Sequence, residues 1–414
     1  MSRFTRWIWP LPLLAISAAL HGQPAADAKL QATYDAHDWF ALRAAVDERS
    51  PSFFRGAIAV AFHDQENARR HLEVAIAAAP ASDQAWEAQN LLVSLAFRAG
   101  AHRDAFARLD AMLRQRPADA GVANALPLAA ALAASPDQAV LRRTGVRLDP
   151  SGTRGGHFLP IAINGKPARY VLDTGANFSV MTESEARRCG LTVRDAATKI
   201  ANVGGTAIGL RAAVADEVTL GDARLAHVAF LVFRDDQQPF DEMAPAERGA
   251  IGLPVLLALQ TLRLHRDGAI DLGFPSASAD ATPTPPNLAF DNLHPIARAE
   301  CAGQPLTLIV DTGARTTQLW PPFARAFPAL MAQAGAEQAH AVAGVGATQS
   351  VRAATLPEVT LRLGGFPATL KPARVHLKES SAQSHYFAGN LGRDLLGQAA
   401  RATVDFATMR LTIE

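Results

Sequence analysis

The sequence of 414 residues is poor in cysteine and aromatic residues, and its formal net charge is only +1. Two cysteines allow at most one disulfide bond, which excludes a small disulfide-stabilised scaffold. Without a block of basic residues, the chain has no electrostatic footprint for a nucleic-acid partner. Aromatic residues form 7% of the chain and do not alternate with Arg or Lys, which argues against a platform for stacked bases.

The residue spacings of metal and cofactor sites are also missing. The 12 histidines form no H-E-x-x-H pattern and no cluster with Asp, and no C-x-x-C occurs. Gly344-Val345-Gly346 begins like a dinucleotide-binding loop, but no G-x-G-x-x-G completes it. We therefore expect neither a metal nor an organic cofactor.

Long apolar runs are absent as well, because no stretch reaches the ~20 residues that a membrane-spanning helix needs. Residues 1–22 instead have the layout of a signal peptide: Arg3 and Arg6, a short apolar run over residues 7–20, and small residues for cleavage. We predict export to the periplasm or beyond, with no integral membrane span after cleavage. An uncleaved anchor is the alternative.

One short motif occurs twice, each time at the end of an apolar run. Residues 171–176 read V-L-D-T-G-A and residues 309–314 read I-V-D-T-G-A. Each copy predicts a strand that delivers one carboxylate, Asp173 or Asp311, into a tight Thr-Gly turn.

The surroundings of the two motifs repeat too. Three further landmarks follow each aspartate at distances that agree to within two residues: a glycine-rich motif, an apolar residue before glycine, and an aspartate that opens a closing hairpin. They are Gly204 and Gly344, Gly252 and Gly392, and Asp267 and Asp405. This register predicts a tandem duplication of one supersecondary unit.

The region before the repeat has a different pattern. Over residues 23–140, alanine and larger apolar residues recur at helical spacing, with a loose period that resembles tetratricopeptide-type helix pairs. Two interpretations stay open: a TPR-like solenoid that binds a protein partner, or a helical cap packed on the repeated lobes.

After residue 140 the pattern changes to the two-residue alternation of strands. We divide this part into lobe 1 (150–274), a proline-rich linker (275–290) and lobe 2 (291–414). The sequence thus predicts a multidomain chain in which an all-α helical-repeat domain precedes a mainly β, two-lobed fold.

The chemistry follows if the lobes pack about a pseudo-twofold axis. Asp173 and Asp311 then meet, and two carboxylates so close share one proton, because both cannot ionise cheaply. The ionised group draws a proton from a bound water while the protonated group polarises a carbonyl. Such a site hydrolyses peptide bonds without a metal or cofactor.

The paired D-T-G-A motifs and the repeated landmarks resemble the aspartic proteases, and in particular the retropepsin-like (retroviral-type) proteases of bacteria, with both lobes in one chain. The resemblance covers residues 155–414. Ala176 and Ala314 replace the serine that pepsin-like enzymes carry there, which favours the retroviral type. The resemblance implies that Asp173 and Asp311 are the catalytic dyad.

The resemblance also implies supporting roles around the dyad. Thr174 and Thr312 brace the two turns, Gly175 and Gly313 permit the tight turn, and Gly252 and Gly392 sit behind the turns. The implied tips of mobile flaps over an extended peptide substrate are Val203, Gly204, Gly205, Gly344, Val345 and Gly346.

Cys189 follows the first motif and Cys301 precedes the second, so a disulfide bond between them would have to cross between the lobes. Two buried thiols are the other interpretation.

We therefore expect an exported aspartic endopeptidase. The alternative is a non-catalytic peptide-binding or scaffolding protein of the cell envelope that uses the same fold. Intact aspartates in both lobes favour the enzyme, since a scaffold has no physical reason to keep two repelling carboxylates. A zymogen-like enzyme whose helical region covers the cleft is a further option.

Overall fold

A computed structural model describes residues 25–150, 158–201, 207–276, 285–344 and 347–414. Within these ranges a helical N-terminal domain is followed by a mainly β region, so the predicted fold class is confirmed. The predicted signal peptide, residues 1–22, lies outside the described residues. No helix among the described residues is both long and apolar enough to cross a membrane.

The helical domain forms because amphipathic segments alternate with side chains that cap the next helix. Asp64, Ser82 and Asp119 each accept a hydrogen bond from the backbone N–H three residues later. The helices are α1 (Ala25–Asp35), α2 (Trp39–Ala45), α3 (Ser52–Ala61), α4 (Gln65–Ala78), α5 (Asp83–Arg98), α6 (His102–Gln115) and α7 (Ala120–Ala133).

Lobe 1 is built on an eight-stranded sheet in the order β1-β8-β5-β9-β4-β3-β7-β6. Its strands are β1 (Ala139–Arg142), β2 (Val146–Leu148), β3 (Leu159–Ile163), β4 (Lys166–Leu172), β5 (Ser179–Thr182), β6 (Arg194–Ala201), β7 (Ala207–Leu220), β8 (Ala223–Phe233), β9 (Gly249–Ile251), β10 (Thr261–His265) and β11 (Ile270–Leu272). The helices are α8 (Glu183–Arg188), α9 (Leu253–Leu259) and a 3-10 turn at Phe240–Glu242. Asn164 and Gly165 both have positive φ, as a two-residue hairpin turn between β3 and β4 requires.

Lobe 2 repeats this arrangement in a second large sheet. Its strands are β12 (Leu288–Asp291), β13 (His294–Cys301), β14 (Gln304–Val310), β15 (Gln318–Leu319), β16 (Gly335–Gly344), β17 (Ala347–Leu356), β18 (Val359–Leu363), β19 (Phe366–Leu370), β20 (Ala373–His376), β21 (Gly389–Leu391), β22 (Arg401–Asp405) and β23 (Arg410–Ile413). The helices are α10 (Pro321–Ala326), α11 (Pro328–Met331), α12 (Gln383–Tyr386) and α13 (Arg393–Leu396).

The duplication is visible in the order of the strands. The central run β8-β5-β9-β4-β3 of lobe 1 has its counterpart in β20-β15-β21-β14-β13 of lobe 2. A third sheet, in the order β2-β11-β10-β22-β23, takes strands from both halves, because β10 pairs antiparallel with β22. The two lobes are therefore joined by backbone hydrogen bonds as well as by side-chain packing.

The structural boundaries differ from the predicted ones at two places. Strands β1 and β2 precede residue 150 and pair with β8 and β11 of lobe 1. Strand β12 begins at Leu288, inside the range 275–290 that we predicted to be a linker. Pro285 and Pro286 lie one residue before this strand of only four residues, and their presence favoured the prediction of a linker.

The helical domain packs on both lobes. Helices α2 to α5 share one hydrophobic core with Ala289, Ile296 and Ile309 of lobe 2. Helices α5 to α7 share another with lobe 1, in which the Phe97 and Phe178 rings meet edge to face with 5.5 Å between their centroids. The domain is thus a cap across the two lobes, while a protein partner for its outer surface stays a prediction.

Cys189 and Cys301 are both free and buried. The interpretation as two buried thiols is therefore correct, and the lobes are held together without a bond between these two residues.

Candidate active site

Each D-T-G turn begins directly at the end of a strand. β4 ends at Leu172 and β14 ends at Val310, so Asp173 and Asp311 are the first residues beyond them. The backbone N–H of Asp173 donates to the Ile251 carbonyl at 2.9 Å, and that of Asp311 donates to the Leu391 carbonyl at 3.0 Å. These bonds to the parallel neighbours β9 and β21 fix the position of each aspartate at the end of its strand.

The two turns are tied together by their threonines. The Thr174 N–H donates to the Thr312 hydroxyl at 3.0 Å, and the Thr312 N–H donates to the Thr174 hydroxyl at 3.0 Å. Each hydroxyl also donates across the interface, from Thr174 to the Val310 carbonyl at 2.7 Å and from Thr312 to the Leu172 carbonyl at 2.8 Å. Both threonines are buried, so these four bonds are shielded from water.

The glycines of the turns make room for the opposite carboxyl group. A Cβ atom on Gly175 would lie 2.7 Å from Asp311 Cγ, and one on Gly313 would lie 2.4 Å from Asp173 Cγ. Neither glycine has positive φ. Glycine at these two positions allows the turns to pack closely, because the opposite aspartate comes too close for any side chain.

Each carboxyl group therefore lies against the glycine of the opposite turn, so the two face each other across the interface, and further donors surround them. One oxygen of Asp173 accepts the Gly175 N–H at 2.8 Å. Asp311 Oδ1 accepts the Ala314 N–H at 2.9 Å, and Asp311 Oδ2 accepts the Asn390 side-chain amide at 2.8 Å. The structure therefore brings together the two aspartates that are 138 residues apart in the chain.

The electrostatics of the pair follow from this contact. Removal from bulk water and the adjacent charge of Asp311 raise the pKa of Asp173 to about 8. Backbone donors at Gly175 and Ala176 act in the opposite direction but do not outweigh these two effects. The pair therefore retains one proton at neutral pH.

Gly252 and Gly392 lie directly behind the two loops. A Cβ on Gly252 would lie 2.4 Å from the Phe178 carbonyl carbon, and one on Gly392 would lie 2.7 Å from the Thr316 carbonyl carbon. Their N–H groups donate to Ser179 Oγ at 3.0 Å and to Thr317 Oγ1 at 2.9 Å. These contacts hold the segment after the first D-T-G against the start of α9, and the segment after the second against the start of α13.

Of the predicted flap residues, only Gly344 belongs to the described part of the chain. It ends β16 and pairs with Ala347 at the start of β17. The others, Val203, Gly204, Gly205, Val345 and Gly346, lie outside the described residues. The antiparallel pairs β6–β7 and β16–β17 lead into these two segments. The role of the six residues as flap tips stays a prediction.

Sequence reasoning missed Asn390 at the site and Thr198 at the junction with the helical domain. Asn390 could have been found by aligning the two apolar-glycine landmarks, which read G-A-I-G over residues 249–252 and G-N-L-G over residues 389–392. Thr198 had no such signal, because its contact is with a distant helix: its hydroxyl donates to the Asn124 carbonyl at 2.8 Å.

Among the residues that the structure describes, no group of three or more His, Cys, Asp or Glu side chains is placed to hold a metal ion. The acid-base pair is the chemistry that the described site offers.

Comparison with known proteins gives matches of different extent. Among solved structures, a retropepsin-like aspartic protease from Rickettsia conorii shares 14% identity, covering 33% of this chain and 95% of that one, with a TM-score of 0.22. No curated protein matches the chain. The family model of aspartyl proteases matches residues 159–255, so the segment that carries the first D-T-G turn and Gly252 is similar to the aspartyl protease family.

Proposed function

We propose that this protein is an aspartic endopeptidase that hydrolyses peptide bonds with a water molecule activated between Asp173 and Asp311. The observation that carries the proposal is that the two carboxyl groups face each other across the interface, on turns joined by reciprocal threonine bonds. The match of residues 159–255 to aspartyl proteases supports it independently of lobe 2.

One ionised and one protonated carboxyl group are sufficient for the proton transfers of amide hydrolysis. The ionised carboxylate of Asp311 takes a proton from water as the water oxygen bonds to the carbonyl carbon, and Asp173 gives its proton to the carbonyl oxygen. The product of this step is a tetrahedral diol. On collapse, Asp311 passes its proton to the leaving nitrogen and a diol hydroxyl returns one to Asp173, which regenerates the starting state.

The substrate class is a peptide or protein. An extended chain across the two lobes presents its carbonyl groups to the dyad, and strands on either side supply main-chain partners. We further propose that the enzyme acts in the periplasm or after secretion, on the strength of the signal-peptide layout of residues 1–22. N-terminal sequencing of the protein from the cell envelope tests this, and an intact Met1 on a cytoplasmic product would contradict it.

The activity is tested by comparing the mature chain with Asp173→Asn and Asp311→Asn on a peptide library over a range of pH. We expect each variant to lose activity by about 10²–10⁴-fold, because each removes one of the two proton-transfer groups. Asp267→Asn is the matched control, since Asp267 occupies an exposed turn where its carboxylate accepts the Ala269 N–H at 3.0 Å.

A wild-type protein that binds library peptides and leaves them intact would instead identify a non-catalytic peptide-binding protein. Loss of cleavage in only one of the two dyad variants would contradict the shared mechanism.

A further inference from the structure

The two halves of the site differ at one position that the pseudo-symmetry makes comparable. In lobe 1, Ala250 of β9 pairs with Val171 of β4 and with Val180 of β5. In lobe 2, Asn390 of β21 pairs with Ile309 of β14 and with Gln318 of β15. The registers on both sides are the same, so Asn390 occupies the place that alanine holds in the first lobe.

This difference affects only one of the two carboxyl groups. The Asn390 amide donates to Asp311 Oδ2 at 2.8 Å, and the methyl group of Ala250 offers Asp173 no donor. An amide N–H stabilises an ionised oxygen more than a protonated one, because a charged acceptor forms the stronger bond. The backbone donors reach both carboxyls, through Gly175 and Ala176 to Asp173 and through Ala314 to Asp311.

Among the described residues, the charges of two other ionisable side chains, Arg393 and His294, interact with the pair, and neither supplies the same asymmetry. Arg393 of α13 lies near both Asp173 and Asp311, so its charge favours ionisation of either carboxyl group. His294 of β13 lies near Asp311, but its burial lowers its pKa and keeps the ring neutral at pH 7. The Asn390 amide is therefore the side-chain group that favours ionisation of Asp311 over ionisation of Asp173.

We propose that Asn390 is a positioning residue that assigns the roles within the dyad: it makes Asp311 the ionised base and leaves the shared proton on Asp173. The proposal rests on the proposed function and deepens it, since the two aspartates of a duplicated site would otherwise be interchangeable.

The experiment follows the two carboxyl carbons by ¹³C NMR titration of the mature full chain labelled at aspartate, with Asp173→Asn and Asp311→Asn used for assignment. The variants are Asn390→Ala, Ala250→Asn and the two changes combined. The pH dependence of kcat/KM for peptide cleavage is measured on the same proteins, and thermal unfolding checks that each is folded.

In the wild type we expect the Asp311 carbon to report the ionised state first as pH rises. In Asn390→Ala this order weakens, and the acid limb of the kcat/KM profile moves up by about one pH unit, the size expected for loss of one hydrogen bond to a charged group. In the combined variant the order reverses, so that Asp173 ionises first. Should Asn390→Ala fail to fold, Asn390→Leu keeps the bulk and removes the donor.

Unchanged carboxyl titrations and an unchanged pH profile in Asn390→Ala would overturn the proposal, and so would a combined variant in which Asp311 still ionises first. The NMR result does not depend on turnover. Titrations that shift as expected in a protein without peptidase activity would therefore refute the proposed function and leave the role of Asn390 standing.

Discussion

At the scale of single residues, the site depends on hydrogen bonds that each threonine makes to the other lobe. Thr174 and Thr312 each donate and accept across the interface, and both are buried. Valine has nearly the same shape and no hydroxyl, so it leaves a buried N–H and a buried carbonyl without partners.

We expect Thr174→Val to lower the free energy of unfolding by about 1–3 kcal/mol for each buried group left unpaired. Peptidase activity falls as well, because the turns lose their mutual register. Urea denaturation and a peptide cleavage assay measure the two effects. Thr360→Val is the control, since Thr360 is exposed on β18; an equal loss in both variants would contradict a specific brace.

The close approach of the turn glycines to the opposite aspartate gives a second prediction. Gly313→Ala places a methyl group where Asp173 Cγ is 2.4 Å away, so one carboxyl must move. We expect a loss of activity of about 10²-fold or more, as for a displacement of about 1 Å at a reacting group.

Gly209→Ala is the matched control for that prediction, because a Cβ there meets nothing within 4 Å and the residue has no positive φ. Full activity in Gly313→Ala would show that the carboxyls lie farther apart than described.

At the scale of secondary-structure elements, helix α7 is joined to strand β6 beside a proline inside the helix. Pro127 lies inside α7, and the next N–H, of Leu128, donates to Thr198 Oγ1 at 3.1 Å. The Thr198 hydroxyl in turn donates to the Asn124 carbonyl at 2.8 Å. The Asn124 side chain completes the junction, bonding the Lys199 N–H and carbonyl at 3.0 Å each.

Removal of the Thr198 hydroxyl should therefore destabilise α7 and β6 together. We expect Thr198→Val to lower the free energy of unfolding by about 1–3 kcal/mol, since the Leu128 N–H is left buried without a partner. Hydrogen exchange should rise in α7 and β6 and stay unchanged in β18 and β19. Faster exchange confined to β6 would contradict the coupling.

The sequence was most informative where a local pattern determines an element. The D-T-G strands, the turn at Asn164-Gly165 and the glycines at 252 and 392 are read from residues close to them in the chain. The Thr198 contact and strand β1 were not predictable, because both depend on partners chosen by tertiary packing: β1 is exposed along its whole length and shows no alternation. The pairing of the two aspartates could be predicted from the repeat, because two copies of one unit in a single chain are expected to pack against each other.

At the scale of the whole molecule, the helical domain and the lobes form shared cores. Deletion of residues 23–140 would expose Phe178 on lobe 1 and Ile296 on lobe 2, which the helices now cover. We therefore expect the truncated chain to be less stable and no more active than the mature protein. Thermal unfolding and the cleavage assay decide this, and a folded, faster truncated enzyme would establish the zymogen-like alternative.

A polar contact at the same interface makes docking of the helices sensitive to pH. His37 Nδ1 lies 2.6 Å from Asp291 Oδ1, which also accepts the Trp39 indole N–H at 3.0 Å. Burial by itself lowers the pKa of His37, but the charge of Asp291, its hydrogen bond and the charges of Glu87 and Asp35 outweigh burial and raise it.

The sign of the pH effect follows from that raised pKa. The protonated ring contributes its full stabilisation below the unfolded-state value of about 6.5 and loses it as pH rises through the higher folded-state value. The free energy of unfolding of the wild type, relative to His37→Gln, should therefore fall over this window. Urea denaturation at a series of pH values measures the difference, and a difference that grows with pH would contradict the ion pair.

The most direct test of the whole account is the distance between the two carboxyl groups in a high-resolution crystal structure of the mature protein. We predict that an oxygen of Asp173 and an oxygen of Asp311 lie within about 3.0 Å of each other, as a shared proton requires, with the threonine bonds in place. Carboxyl groups separated by more than one bridging water, or turned away from each other, would contradict the mechanism.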